Sequence, residues 1–165
     1  MTYEQTTYRY DSQEYRLAKF KKEFPERFNM HYSTMYYVFT FFALMVDQRA
    51  KNMFLTRWKD EDGKYRWYPY FYDNDTIFGI NNVGALVFDY FHEDTDQINS
   101  SDVYNGQNSV LWYNFRMCFA SEIKNLYASL RSDKLLDYDK LINQYVTEGS
   151  DKWSANIYNA DAEYK

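Results

Sequence analysis

Two aromatic-rich runs, NMFLTRW (52–58) and YRWYPYFY (65–72), stand on either side of KDEDGK. Each has the length of a short strand. Asp62-Gly63 between them is a turn signal, because glycine takes the positive φ that a tight hairpin needs. The pair predicts a β-hairpin, and the hairpin constrains everything around it. Strands of about seven residues run about 20 Å out and back. Whatever precedes the first run must therefore lie beside whatever follows the second. Pro69 has no N–H to give, so it must sit at a sheet edge or turn its nitrogen away from the ladder. DEDG at the tip is not an EF-hand loop: its acids are wrongly spaced and the distal glutamate is missing.

Helical patterns flank the hairpin. SQEYRLAKFKKEF (12–24) reads as an amphipathic helix capped by Ser12, with Tyr15, Phe20 and Phe24 on one face and Pro25 ending it. Residues 1–12 read as a loose, tyrosine-rich arm. FNMHYSTMYYVFTFFALMV (28–46) is apolar nearly all round and predicts a buried helix with His31 in a structural place at its head. ALVFDYF (85–91) has strand character, and HEDTDQINSSDVYNGQNS reads as a polar loop. HEDTD could ligate a metal, but a solvated loop is the first reading. LWYNFRMCFASEIKNLYASLRS carries apolar residues at a helical period, at Phe115, Phe119, Ile123, Leu126, Tyr127 and Leu130. One or two more helices follow, with Asp137 and Ser150 as caps and a break at Gly149. The fold class is thus α+β and mainly helical, around a central hairpin. The division expected is an arm and short helix over 1–27 and a main domain over 28–165.

The chain has 165 residues, enough for a real core, and 22% of them are aromatic, against five glycines and two prolines. Such ring surface is largely core, with the remainder available to a protein or glycan. The net charge of −5 has both signs mixed along the chain, which argues against a nucleic-acid binder with a basic face. The one cysteine, Cys118, has no internal disulfide partner and reads as a small apolar residue. No signal peptide is visible, and the most apolar run, Met35–Val46, falls short of the roughly 20 residues of a membrane span. The expected location is the cytoplasm, or a virion assembled there.

The hairpin gathers a particular set of residues at its open end. Asp47, Arg49, Lys51 and Asn52 precede it; Asp73, Asp75 and Gly79 follow it. Three carboxylates and an amide are expected to converge there. Hard oxygen donors suit Mg²⁺ or Mn²⁺, and Arg49 can hold a phosphate bidentately. Another reading stays open for each piece. Asp47 to Asn52 could be a polar turn after a helix, although a cation suits a helix C-terminus better than Asp47 does. Asp73 and Asp75 could close an Asx-turn on backbone N–H groups.

The order helix, acidic loop, hairpin, acidic turn is that of protein kinases, in which a catalytic Asp, a cation two residues on and a metal-binding Asn five residues on precede a metal-binding Asp. DQRAKN has that spacing, and DNDTIFG stands where Asp-Phe-Gly would be. The chain more closely resembles the spore-coat CotH kinase family, on YYVFTFFALMVDQRAKNMFL, GKYRWYP and YDNDTIFGINN; Tyr72 replaces the family's usual Trp. The likeness covers Phe28–Asn82. It implies a kinase C-lobe-like fold and an ATP- and Mg-dependent phosphotransferase. Asp47 would be the catalytic-loop aspartate, Asn52, Asp73 and Asp75 the metal ligands, and Arg49 and Lys51 the residues facing the nucleotide. No glycine precedes Gly63, so a glycine-rich phosphate loop is missing. The expectation is therefore a C-lobe-like fragment of a longer protein. The alternative is an inactive structural or interaction module, for instance in a bacteriophage tail or virion, touching neighbouring subunits. VYNGQNSVLWYNF resembles such virion proteins in style.

Overall fold

The computed structural model describes residues 2–45, 47–49, 51–87 and 109–152. In chain order these form β1 (Thr2–Tyr3), β2 (Thr6–Thr7), α1 (Gln13–Arg27), α2 (Met30–Phe42), β3 (Met53–Lys59), β4 (Tyr65–Phe71), α3 (Val110–Cys118), α4 (Ala120–Ser132) and α5 (Tyr138–Lys152). The class is α+β and mainly helical, as expected. Among the described residues no helix is long and apolar enough to cross a membrane.

Two compact units divide the chain, Met1–Leu126 and Tyr127–Lys165. The boundary expected at residue 27 is not where the chain divides, because α1 belongs to the same core as α2 and α3. Phe24 lies 4.5 Å from Phe28 in a stack and 5.1 Å from Phe115. Tyr36 stacks on Trp112 at 5.2 Å and meets Phe71 of β4 at 4.5 Å. Phe24, Tyr36, Tyr37, Trp112, Phe115 and Phe119 form this aromatic core. Ring pairs add about 0.5–1.5 kcal/mol each beyond the area they bury.

Helix α1 starts where Ser12 accepts a hydrogen bond from the Tyr15 N–H at 3.3 Å. It does not end before Pro25. It runs to Arg27, and the Phe28 N–H closes it on the Phe24 carbonyl at 2.8 Å. The proline costs one backbone bond in the last turn, and docking of Phe24 and Phe28 into the core offsets that loss. Tyr15 leaves the Phe20–Phe24 stripe to meet Tyr3 at 5.8 Å and Tyr8 at 6.0 Å. Those contacts, with a Lys22–Glu4 ion pair, tie the β1–β2 hairpin to α1. The expected loose arm is thus anchored.

Helix α2 is capped by Asn29, which accepts from the Tyr32 N–H at 2.8 Å. It is shorter than the 28–46 expected and is not buried all round: Tyr32, Phe39, Phe41 and His31 are exposed. It stops in a Schellman arrangement. The Leu44 N–H donates to Phe41 O at 3.2 Å, the Met45 N–H donates to Thr40 O at 3.0 Å, and Leu44 has φ +45°. A leucine therefore holds the left-handed position that glycine usually fills. The Ala43 and Leu44 carbonyls then accept from the N–H groups of Phe78 (2.7 Å) and Gly79 (2.9 Å), which ties the segment after β4 to the end of α2.

β3 and β4 pair antiparallel without a bulge, from Met53↔Phe71 to Lys59↔Tyr65. Pro69 lies opposite Leu55 in β4, whose far side meets, among the described residues, the isolated Phe28↔Trp67 bridge and no strand, so the strand tolerates it. Of the strand expected over 85–91, the described residues carry an isolated bridge between Leu86 and Ile80; residues 88–108, with HEDTD and the loop up to Asn108, lie outside those described. The long helix expected after residue 110 breaks at Phe119, whose backbone (φ −126°, ψ 31°) turns its ring into the core. Cys118 is half-buried, and its thiol donates to Leu17 O at 3.3 Å.

In the second unit Asp137 caps α5 by accepting from the Lys140 N–H at 2.9 Å. The break expected at Gly149 with a new cap at Ser150 is absent: α5 continues to Lys152. Further helix beyond 152 falls outside the described residues.

Candidate functional site

The open end of the β3–β4 hairpin brings together the two segments singled out in the sequence, but not through their acids. Gln48, wholly buried, donates from Nε2 to the carbonyls of Asp73 (2.7 Å) and Tyr72 (3.4 Å) and to Asn74 Oδ1 (3.3 Å). Asn52 donates from Nδ2 to the same Asp73 carbonyl at 3.4 Å. Two amides thus hold the backbone of the acidic turn, where Asp73 takes a left-handed φ of +53°. Aspartate accepts that conformation at lower cost than most residues. Sequence reasoning passed over Gln48. Its one signal was a long amide side chain between an acid and a base in a loop that a hairpin folds back upon.

Asp47 is buried at 3% exposure. Its carboxylate pairs with Lys51 at 3.0 Å, and its carbonyl accepts from the N–H groups of Lys51 and Asn52, both at 3.0 Å. The local chain is a tight turn closed on Asp47 from both sides. Lys51 is exposed, Asn52 half-exposed, and Asp73 and Asp75 exposed. Neither Asp73 nor Asp75 uses its carboxylate in a hydrogen bond or ion pair among the described residues. The Asx-turn reading of these two acids therefore has no bond to rest on.

Arg49 departs most from expectation. It is 1% exposed, donates from Nε to Thr40 Oγ1 at 3.0 Å and lies over the Tyr37 ring at 4.3 Å. A guanidinium stacked on a core tyrosine cannot reach a bound phosphate without leaving the core, so the phosphate-holding role expected of Arg49 does not fit this geometry. Its carbonyl accepts from the Ser109 hydroxyl, which joins the loop to α3. Tyr36 donates its hydroxyl to Gln48 O at 2.7 Å, and burial pushes that phenol above its ordinary pKa.

The expected convergence of three carboxylates is not present: among the described residues no group of three or more His, Cys, Asp or Glu side chains is placed to share a metal ion. Near this turn two buried oxygens, Gln48 Oε1 and Thr76 Oγ1, meet no hydrogen-bond partner among the described residues. Buried polar atoms rarely stay so in a folded protein, and those that do are commonly hydrated or functional.

At the other end of the hairpin, Arg66 donates to Asp60 at 3.0 Å and to Asp62 at 2.8 and 2.6 Å, and to the Pro25 carbonyl at 3.1 Å. Asn29, the α2 cap, donates to Asp60 at 2.8 Å. Hydrogen bonding from Arg66 lowers the Asp62 pKa to about 2, and that from Asn29 lowers Asp60. This tip is a structural tie, in keeping with its reading as a turn.

Compared with protein-family models, curated proteins and solved structures, the chain matches none of them.

Proposed function

We propose that the chain carries the catalytic-lobe half of a CotH-kinase-like phosphotransferase site, in which the rim formed by Lys51, Asn52, Asp73 and Asp75 receives Mg²⁺ or Mn²⁺ with ATP. The observation that carries the reading is the 3.4 Å approach of Asn52 to the Asp73 carbonyl. It puts the loop and the acidic turn side by side, as the resemblance requires. The donor set suits the ion. Mg²⁺ usually takes one or two carboxylates and completes its shell with phosphate oxygens and water. Two exposed acids and one amide oxygen supply that much without a three-acid cluster. The bound ion would neutralise the phosphate charge.

In this reading Asp47 faces the acceptor hydroxyl, and Lys51, paired with its carboxylate, adds a cation beside the phosphates. Asn52 and Gln48 hold the acidic turn. Arg49 is a strut under the loop rather than a phosphate clamp.

One set of observations favours a second reading, an inactive structural or interaction module such as a virion protein. Arg49 and Asp47 are both engaged in internal contacts, and no three-acid group forms among the described residues. Thermal unfolding with MgCl₂ or MnCl₂ and ATP separates the two. A ligand at a hundred times its Kd stabilises by about 2.7 kcal/mol, and the phosphotransferase reading expects a shift that Asp73→Ala removes. No shift with any of the three, and an unaltered melting profile in Asp73→Ala, leaves the structural module.

A further inference from the structure

Strand β3 has two edges. β4 takes one; among the described residues no strand takes the other. Open edges in soluble proteins are usually blunted by a proline, a bulge or an inward charge. β3, MFLTRWK, has no proline, and its register with β4 is unbroken over all seven residues. Side chains alternate across it, so Phe54, Thr56 and Trp58 share one face and Met53, Leu55, Arg57 and Lys59 the other. Phe54 is 53% and Trp58 61% exposed, large apolar rings left to solvent on the face opposite the strand's two cations, Arg57 and Lys59.

We propose that β3 pairs with β3 of a second copy, antiparallel about a two-fold axis through Thr56, to give a four-stranded sheet in the order β4–β3–β3–β4. The occupant follows from the charges. A two-fold axis perpendicular to the sheet keeps each face with its own kind and makes the contact isologous. Centred on Thr56, it sets Phe54 opposite Trp58, Leu55 opposite Arg57 and Met53 opposite Lys59. Two aromatic cross-strand pairs form on one face, and on the other each cation meets an apolar residue. An axis through Phe54 pairs only three residues of each strand, and one through Leu55 only five, whereas one through Thr56 pairs all seven. Like charges directly opposite one another destabilise a sheet, and the centres beyond Thr56 create them. An axis through Arg57 opposes that residue to itself, and one through Trp58 opposes Arg57 to Lys59. The Arg57 guanidinium already lies over Tyr65 at 5.3 Å and Trp67 at 5.8 Å, on its own hairpin and away from the incoming strand. The edge is therefore self-complementary in one register, a property that a foreign strand does not require of it.

Sedimentation of the full chain and cross-linking test this together. With Cys118→Ser removing the native thiol, Thr56→Cys places two thiols opposite each other at a Cα separation of roughly 4.5–5.5 Å, within disulfide range. Thr56→Cys is expected to give a covalent dimer on mild oxidation. Leu55→Cys and Arg57→Cys should each fail alone and cross-link when mixed. The unmodified chain should sediment as a dimer, and Trp58→Lys, at a solvent-facing position, as a monomer with an unchanged circular dichroism spectrum. Three results overturn the proposal: a monomer at every concentration, a dimer that survives Trp58→Lys, or a Thr56→Cys chain that stays uncross-linked.

Discussion

The two ends of the β3–β4 hairpin use the same residue types to opposite ends. At the tip, Asp62 is exposed and Asp60 and Arg66 are half-buried, and the three meet in charge-assisted hydrogen bonds. At the base, Asp47, Gln48 and Arg49 are at most 3% exposed and hold a loop, a turn and a helix against one another. An exposed ion pair is screened and contributes little. A buried polar side chain is costly to leave without partners, because the unmet group forfeits its hydration. The lesson is that a run of charged residues says little until its depth is known: DQRAKN and DEDGK look alike in sequence and differ in what depends on them.

That contrast can be broken most forcefully at Arg49. Arg49→Ala removes a large buried side chain from Tyr37 and takes away the donor to the Thr40 hydroxyl, which keeps its own bond to the Tyr37 carbonyl; by analogy with other large-to-small core changes it should cost about 3 kcal/mol or more, read as a lowered urea midpoint. Gln48→Leu comes next. It keeps most of the volume but frees the Asp73 carbonyl from its shortest bond, and should cost about 1–3 kcal/mol. Amide exchange in residues 72–76 should quicken more than in the helices. Arg66→Ala at the tip should lower the melting temperature less than either, since water replaces the lost partners. Smallest of all is a pH effect. The folded-state pKa values of Asp60 and Asp62 are depressed. Their stabilisation is therefore present above the unfolded aspartate value near 3.8 and is lost as pH falls through the folded values, about 2 for Asp62. A melting series between those limits should decline, and Asp62→Asn should flatten part of the slope. If Arg66→Ala proves as damaging as Arg49→Ala, depth is not what separates the two ends.

Much of the fold was legible because its signals are local. Asp62-Gly63 marks the hairpin, Ser12 and Asp137 mark helix starts, and the apolar period of α1 and α4 marks their inner faces. The misreadings share a different cause, contacts between distant parts of the chain. Pro25 looks like a stop, yet the helix passes it because Phe24 and Phe28 are held by the core. Phe119 fits a helical period but breaks the helix to fill the same core. Leu44 hid the end of α2, since the left-handed residue there is not the glycine or asparagine that usually announces it. At the site, the hairpin argument correctly put Asn52 beside Asp73. It failed on the direction of side chains: Arg49 turned inward to Tyr37, and the acids did not cluster. Strand geometry fixes where the backbone returns, whereas burial decides which way each side chain points.

Leu44 is also constrained from two directions. Its backbone sits where glycine is most at ease, and a non-glycine residue there carries roughly 1–2 kcal/mol of strain; its side chain is 4% exposed and fills space that glycine would leave empty. Losing a buried leucine costs about 2–5 kcal/mol, so relief of the strain does not repay the void. A β-branched replacement would worsen the torsion, and a polar one would strand its hydrogen-bonding groups. Position 44 is therefore a local optimum without a neighbouring improvement, a place where drift should be slow although no chemistry depends on the residue itself.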